Sequence, residues 1–349
     1  MIKFFRKIRQ KLLVESKFSK YLLYAIGEII LVVIGIMIAL SFNNSNEQKK
    51  NTALVKETID ALEEELHTNF DQATFVLNFW NKQDAFCKQV IFDQLTIEDY
   101  RNNDLIGILP ANWNSFNPKT ENLHLLLEYE KSTPKQLKPI IDTAKELEKR
   151  EVMISQQWST VQTNIIENTK AITNEVSLVR LDSISRNKQY QYMLTNPDYK
   201  KIVELYWINT QVYYDFISRY RAQTMAVLGT IKMIREDFGL EELEALYKSK
   251  GMNPFLVSDC NPKEPISKNN EIRRGYLIGN LSDQDITLKM VNDGKIGSMY
   301  TLKPNQLRYT KPEYAGFGGD YTVIAEQIDS DGNCIQKFVA VNKGYLLIK

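Results

Sequence analysis

Residues 21–40 read YLLYAIGEIILVVIGIMIAL, a run that is apolar or small apart from the single carboxylate of Glu28. A helix rises about 1.5 Å per residue, so this run is long enough to cross the roughly 30 Å hydrocarbon core of a bilayer. No other stretch of the 349-residue chain is both as long and as apolar. It predicts a transmembrane anchor over 21–42, preceded by a basic tail over 1–20 and followed by a large part on the other side of the membrane.

The flanks give the orientation. Before the run stand Lys3, Arg6, Lys7, Arg9, Lys11, Lys17 and Lys20 against Glu15 alone. After it, Lys49, Lys50 and Lys56 face Glu47, Glu57, Asp60, Glu63, Glu64 and Glu65. Basic residues stay on the cytoplasmic side, so the N-terminus is expected in the cytosol and everything beyond about residue 43 outside it. In a bacterium with two membranes this makes an inner-membrane (cytoplasmic-membrane), single-pass protein with periplasmic domains. Ala39-Leu40-Ser41 fits a small-x-small cleavage site, but the apolar run exceeds the usual h-region of about 7–15 residues. The run therefore reads as an uncleaved signal-anchor.

Within the anchor, Gly27, Leu31, Gly35 and Ala39 recur every four residues, a small-residue stripe of the kind that lets two membrane helices approach closely. Glu28 lies about 10 Å inside if the core begins near Tyr21, where an ionised carboxylate costs on the order of 2–3 kcal/mol. Two readings stand side by side: an interfacial Glu reaching back toward Lys20 and lipid headgroups, or a contact to a partner helix. Gly27, Glu28, Leu31, Gly35 and Ala39 are the candidate membrane-helix contact.

MIKFFRKIRQKLL, then KYLLYAIGEIILVVIGIMIAL and an exit rich in Asn43, Asn44 and Asn46, resembles the N-terminus of a family of uncharacterised bacterial single-pass envelope proteins. The resemblance covers residues 1–46. It implies a short basic tail, an anchor containing Gly-Glu and a mostly helical extracytoplasmic part, and it carries no activity with it. The family's exit resembles Asn-Asn-Trp-Asn; here Ser45 stands in the Trp position, which removes an interfacial aromatic that would help fix the anchor's depth.

Past the anchor the expected fold class is mainly α, a helical-bundle or coiled-coil-like domain over 43–250, then a linker over 251–270 and a small β-sandwich-like domain over 271–349, with α and β segregated. Val55, Ile59, Leu62, Leu66, Phe70, Ala73 and Leu77 keep three- and four-residue steps, one buried helical stripe; an unbroken helix would extend directly from the anchor away from the membrane. Asn117-Pro118, Thr133-Pro134 and Asn196-Pro197 are helix-start signals. Ile140, Ala144, Leu147, Glu151, Ile154, Trp158, Val161, Ile165, Asn168 and Ile172 form a seam with a 3.5-residue repeat. Ile202, Leu205, Asn209, Val212, Phe216, Val227 and Ile234 are expected to answer it on the next long helix, giving an antiparallel bundle of about four helices. Pro254, Pro262 and Pro265 mark the linker. Ile286–Met290, Tyr321–Ile328 and Cys334–Val341 then read as strands among about six, with turns at Asp293-Gly294, Asp331-Gly332 and Asn342-Lys343-Gly344.

A net charge of +1 argues against a nucleic-acid partner. Of the three cysteines, Cys260 and Cys334 fall in one segment and can form a bridge; otherwise Cys87, Cys260 and Cys334 are buried thiols. The two histidines stand in Glu64-x-x-His67 and Glu121-x-x-His124, the unit that di-iron bundles use. Both lie on the polar face of their helices, whereas a bundle-core metal must be bound from the inside, so neither metal nor catalytic residue is assigned. Asp329 to Asn333 begins like a calcium loop, but Cys334 and Ala340 occupy the positions of the turn glycine and the bidentate Glu, so a hairpin turn is expected. Gly316 to Gly319 has no helix pattern after it and is no phosphate loop. Tyr206, Trp207, Tyr213, Tyr214, Phe216 and Tyr220 form an aromatic cluster that reads as core or as a ligand pocket. The expected function is a non-enzymatic envelope interaction or scaffold module without cofactors, whose partners are the lipid bilayer and a membrane or envelope protein, a second copy included. The alternative is an extracytoplasmic sensory or ligand-binding module that signals through a membrane partner, because roughly twenty residues before the anchor are too few for an output domain.

Overall fold

A computed structural model describes residues 18–103, 105–178, 182–261, 276–292, 295–310, 323–341 and 344–349. The first helix, α1, runs Phe18–Ile91 without interruption, so the anchor and the Ile59–Leu77 stripe share one helix. It ends in a left-handed turn: Asp93 has φ 55°, and Gln94 N–H donates back to Gln89 O at 2.8 Å. The basic tail before residue 18, Pro262 and Pro265 of the linker, Asp293-Gly294 and Gly316 to Gly319 lie outside the described residues.

The chain divides into two units, residues 1–57 with 131–133 and residues 58–130 with 134–349. In the first, every residue of α1 from Glu28 to Lys50 is exposed. In the second, α1 from Thr58 onward is followed by α2 (Ile97–Asn102), α3 (Glu121–Glu128), α4 (Lys138–Glu175), α5 (Ser183–Thr195), α6 (Pro197–Glu236) and α7 (Leu240–Ser249). Local chemistry sets these starts. Thr96 and Asp99 close a capping box on α2. Asp182 caps α5 by accepting from Ser185 N–H at 2.8 Å. Asn196 accepts from Asp198 and Tyr199 N–H with Pro197 in the first turn of α6. Thr133-Pro134 opens α4 only after one 3₁₀ turn, Lys135–Leu137. Asn117-Pro118 precedes α3 by an extra stretch, and α3 begins at Glu121.

The long helix α6 packs antiparallel to both α1 and α4, which therefore run parallel to each other and not alternately as expected. Gln157 Nε2 donates to Asn209 O at 3.2 Å and Gln223 Nε2 to Thr143 O at 3.0 Å, which aligns α4 against α6 in opposite directions. Along α1, Lys232 pairs with Glu63 at 2.6 Å, Asn69 with Tyr220 at 3.0 Å and Asp84 with Trp207 at 2.7 Å, so α1 and α6 also run opposite ways. On α4, Ile140, Ala144, Leu147, Ile154, Val161, Ile165, Asn168 and Ile172 are buried, the seam expected from the repeat. On α6 the buried line differs from the expected one. Leu205 is 51% exposed; Val227 is buried as expected, but Tyr199, Val203, Tyr206, Thr210, Tyr213, Ile217, Tyr220, Thr224 and Ile231 form the rest of the inward line. Tyrosine rings outweigh the aliphatic residues because each buries a large apolar body, and the hydroxyls of Tyr206, Tyr213 and Tyr220 find polar partners.

Nine described strands form two sheets: β1 (Asn253–Pro254), β2 (Leu256–Ser258), β3 (Tyr276–Asn280), β4 (Ile286–Asn292), β5 (Lys295–Leu302), β6 (Gln306–Thr310), β7 (Val323–Ile328), β8 (Cys334–Val339) and β9 (Gly344–Ile348). One sheet is ordered β1-β9-β3-β6 and the other β2-β8-β7-β4-β5. The second is antiparallel throughout. The first is mixed, because β9 pairs parallel with both β1 and β3. Strand pairing thus begins inside the stretch expected as linker, at Asn253. Asn342-Lys343-Gly344 is not a hairpin turn, since β8 and β9 belong to different sheets; of its residues only Gly344 is described. A Cβ on Gly344 would lie 2.6 Å from Val341 O and 2.7 Å from the Phe255 ring, so the chain changes sheets through a position that admits no side chain.

The four-stranded sheet uses its two faces differently. Tyr276, Ile278, Leu346 and Ile348 share a core with Ile286, Leu288, Met290, Val323 and Ala325 of the five-stranded sheet. The alternate residues turn to the helices: Tyr345 meets Tyr247 of α7 with ring centroids 5.3 Å apart. Leu307 lies against Gly229 of α6, within 2.6 Å of where a Cβ would stand. Period-two alternation explains both contacts at once. Cys260 and Cys334 form a disulfide across β2 and β8, the bridge that was one of two sequence alternatives, and Cys87 is a buried free thiol.

Candidate functional site

The aromatic cluster of α6 splits by helix face. Tyr206, Tyr213 and Tyr220 are wholly buried, while Trp207 and Phe216 are half-buried. Trp80 of α1 packs on Tyr213 (5.9 Å) and Tyr206 (6.3 Å), and Trp158 of α4 packs on Tyr213 (5.1 Å). Tyr214 is buried on a neighbouring face of the helix, and Phe216 receives the Arg219 guanidinium 5.4 Å above its ring.

The polar tips of this cluster hold an irregular segment in place. Tyr206 donates to Asn112 O (2.8 Å), Tyr213 Oη accepts from Phe116 N–H (2.8 Å) and Trp80 Nε1 donates to Asn114 O (3.1 Å). Asn69, wholly buried, donates to Lys119 O (2.6 Å) and accepts from Lys119 N–H (2.8 Å) while donating also to Tyr220 (3.0 Å). Asn168 and Gln189 donate to Pro110 O and Gly107 O, each at 3.1 Å. Glu65 then takes the first N–H groups of α3, from Asn122 (2.9 Å) and Leu123 (3.2 Å), where the helix end offers unpaired donors. Between the 3₁₀ turn Ile106–Ala111 and α3, this segment thus takes backbone hydrogen bonds from side chains of the surrounding helices. Burial pushes the hydroxyl pKa of Tyr206 and Tyr220 up and that of Tyr213 up to about 12, so all three stay neutral.

The histidines face outward. His124 is 47% exposed and pairs with Glu151 of α4 at 3.0 Å rather than with Glu121. His67 is 36% exposed, 3.9 Å from Glu63, and its pKa is lowered by partial burial and by Lys250. Among the described residues no group of three His, Cys, Asp or Glu side chains could hold a metal ion. Asp329 accepts from the N–H groups of Asp331 (2.9 Å) and Asn333 (2.8 Å), with Gly332 at φ 84°, so the turn between β7 and β8 is the expected hairpin. Burial drives the Cys87 thiol pKa far up, which makes it an inert core residue.

In the anchor, the most apolar 18-residue window of α1 buries none of its residues. Gly27 and Gly35 have no atom within 4 Å of a Cβ position, and Leu31 is 68% exposed. Glu28 and Ala39 are exposed beside them. One further cluster carries no sequence motif: Arg150 of α4 lies over the Tyr309 ring of β6, and the Arg219–Asp215 ion pair of α6 lies within electrostatic reach of the same ring. It was invisible in sequence because its members are far apart and none sits in a recognisable spacing. Comparison with protein families, with curated proteins and with solved structures returned no match.

Proposed function

We propose that the chain is a single-pass membrane protein of the bacterial envelope, anchored by residues 21–42, whose remaining residues lie outside the cytoplasm and act as a non-enzymatic interaction or scaffold module. The observation that carries this reading is the apolar window of α1, long enough to span a bilayer and with none of its residues buried. A soluble helix of that composition would hide such a surface in a core. The charge asymmetry of residues 1–20 against 43–66 supports the orientation. The Cys260–Cys334 bridge supports an oxidising compartment such as the periplasm. The two sheets with their common core suit a small sandwich-like module at the end of the helical part. The small-residue stripe and Glu28 offer a second membrane helix, from a partner or a second copy, a surface to meet.

A reporter active only outside the cytosol, fused after Lys349, is expected to be active; an inactive fusion that is stably made overturns the orientation. In-cell cross-linking of the full chain is expected to yield a discrete larger species that is lost when Gly27 and Gly35 are replaced by Leu. Recovery of monomer alone overturns the interaction role. A second reading, ligand binding outside the membrane, is favoured by the cluster of Arg150, Arg219 and Tyr309.

A further inference from the structure

β6 is an edge strand of the four-stranded sheet, and its Tyr309 side chain turns toward the helices. The Arg150 guanidinium of α4 lies over that ring, 5.6 Å from its centroid. From α6, Arg219 forms an ion pair with Asp215 one turn away, and Tyr309 lies within electrostatic reach of Asp215, Arg219 and Arg150 together. Among the described residues, two guanidiniums and one carboxylate leave the cluster with one positive charge in excess.

Its donors are not used up. Arg150 has no carboxylate partner among the described residues; its one polar contact is from Nη1 to Met153 Sδ at 3.8 Å. The neighbouring acids of α4 are occupied elsewhere, Glu146 by Lys149 and Glu151 by His124. Among the described residues, the Nε groups of Arg150 and Arg219 and the Tyr309 hydroxyl are buried without a hydrogen-bond partner. Tyr309 is only 6% exposed. Buried donors left unmade are costly, and guanidinium donors most of all. An assembly of two guanidinium forks and a hydroxyl is rich in donors, and an oxyanion supplies acceptors with charge of the right sign.

We propose that Arg150, Arg219 and Tyr309 form a binding site for an oxyanion, the carboxylate or phosphate group of a small soluble ligand. The site joins α4, α6 and β6, so occupancy ties the helices to the sheet. This assignment goes beyond membrane anchoring and holds whichever way the chain is oriented.

The test uses the full-length, detergent-solubilised protein at matched ionic strength. Its unfolding temperature is followed during titration with inorganic phosphate, with acetate, and with chloride as control. One or both oxyanions are expected to raise it saturably, the better of the two identifying tetrahedral or planar recognition. Arg150→Gln, which breaks no ion pair, is expected to weaken binding by about tenfold, and Tyr309→Phe, which keeps the ring, by about threefold. Arg219→Lys keeps the pair with Asp215 but loses the fork and is expected to weaken binding as well. Failure of both oxyanions to exceed chloride overturns the site. So does wild-type binding by Tyr309→Phe together with either arginine variant.

Discussion

Adding one methyl group at Gly229 sets two effects of opposite sign against each other. In a helix interior, Gly→Ala is worth about 1 kcal/mol of stabilisation from backbone propensity. At this position, however, the new Cβ would stand 2.1 Å from Tyr247 Oη and 2.6 Å from Leu307 Cδ1. Neither neighbour is free to move: Tyr247 is wholly buried and packed edge-on against Tyr345, and Leu307 is 3% exposed. Overpacking of this kind costs about 1–3 kcal/mol and more where two contacts clash. The expected net result is destabilisation by about 1–3 kcal/mol, read as a lower urea midpoint at unchanged slope. The Tyr247 hydroxyl has no hydrogen-bond partner, so Tyr247→Phe alone should change stability by less than about 1 kcal/mol. In the double variant the nearest ring atom is Cζ at 3.2 Å, and the double-mutant cycle should return a favourable coupling of about 1 kcal/mol. A Gly229→Ala protein more stable than wild type, or strictly additive substitutions, would refute the packing of β6 and α7 on α6.

Asn69→Ala removes three hydrogen bonds of 2.6, 2.8 and 3.0 Å and is expected to cost about 2–4 kcal/mol by urea unfolding, with the amides of residues 112–119 losing hydrogen-exchange protection. Cys260→Ser with Cys334→Ser opens a link of sequence separation 74 and is expected to lower stability by about 2–4 kcal/mol; reductant should do the same to the wild type and nothing to the variant. Glu326 sits between Lys289 and Lys337, each at 3.0 Å. Partial burial opposes its ionisation, but hydrogen bonds from Lys337 and then Lys289 hold its pKa below the ordinary 4.5. A depressed carboxyl stabilises above its unfolded pKa and loses that contribution as pH falls through the folded value. The deficit of Glu326→Gln, under about 1 kcal/mol for such a surface network, should therefore be full above about pH 4.5 and vanish in more acidic urea titrations.

Much of the helical part could be read from local pattern. The Ile59–Leu77 stripe, the α4 seam and the Asn196-Pro197 start each depend on residues within a few turns of one another, and so does the Asp331-Gly332 hairpin. What escaped depends on distance or on residue type. The inner face of α6 was missed because it is built from Tyr199, Tyr206, Tyr213 and Tyr220, whose amphipathic rings an apolar count sets aside in favour of Leu205 and Val212. β1 and β2 are two and three residues long and carry no period. β3 is buried at every position and so shows no alternation. The Arg150–Arg219–Tyr309 cluster needs α4, α6 and β6 to be assembled before it exists.

The place of β9 has a consequence for how the protein is made. This strand lies inside its sheet, parallel to β1 and β3 on either side, although it follows every other described strand in the chain. Until it emerges, β1 and β3 present open edges, and neither can be closed by any hairpin nearby. The sheet that covers α6 is therefore completed late, through pairings as far apart as Asn253 and Gly344. Slow, non-local closure of this kind leaves open strand edges exposed to aggregation during folding, and a frameshift that spares everything before residue 344 would still remove a strand from the sheet's interior.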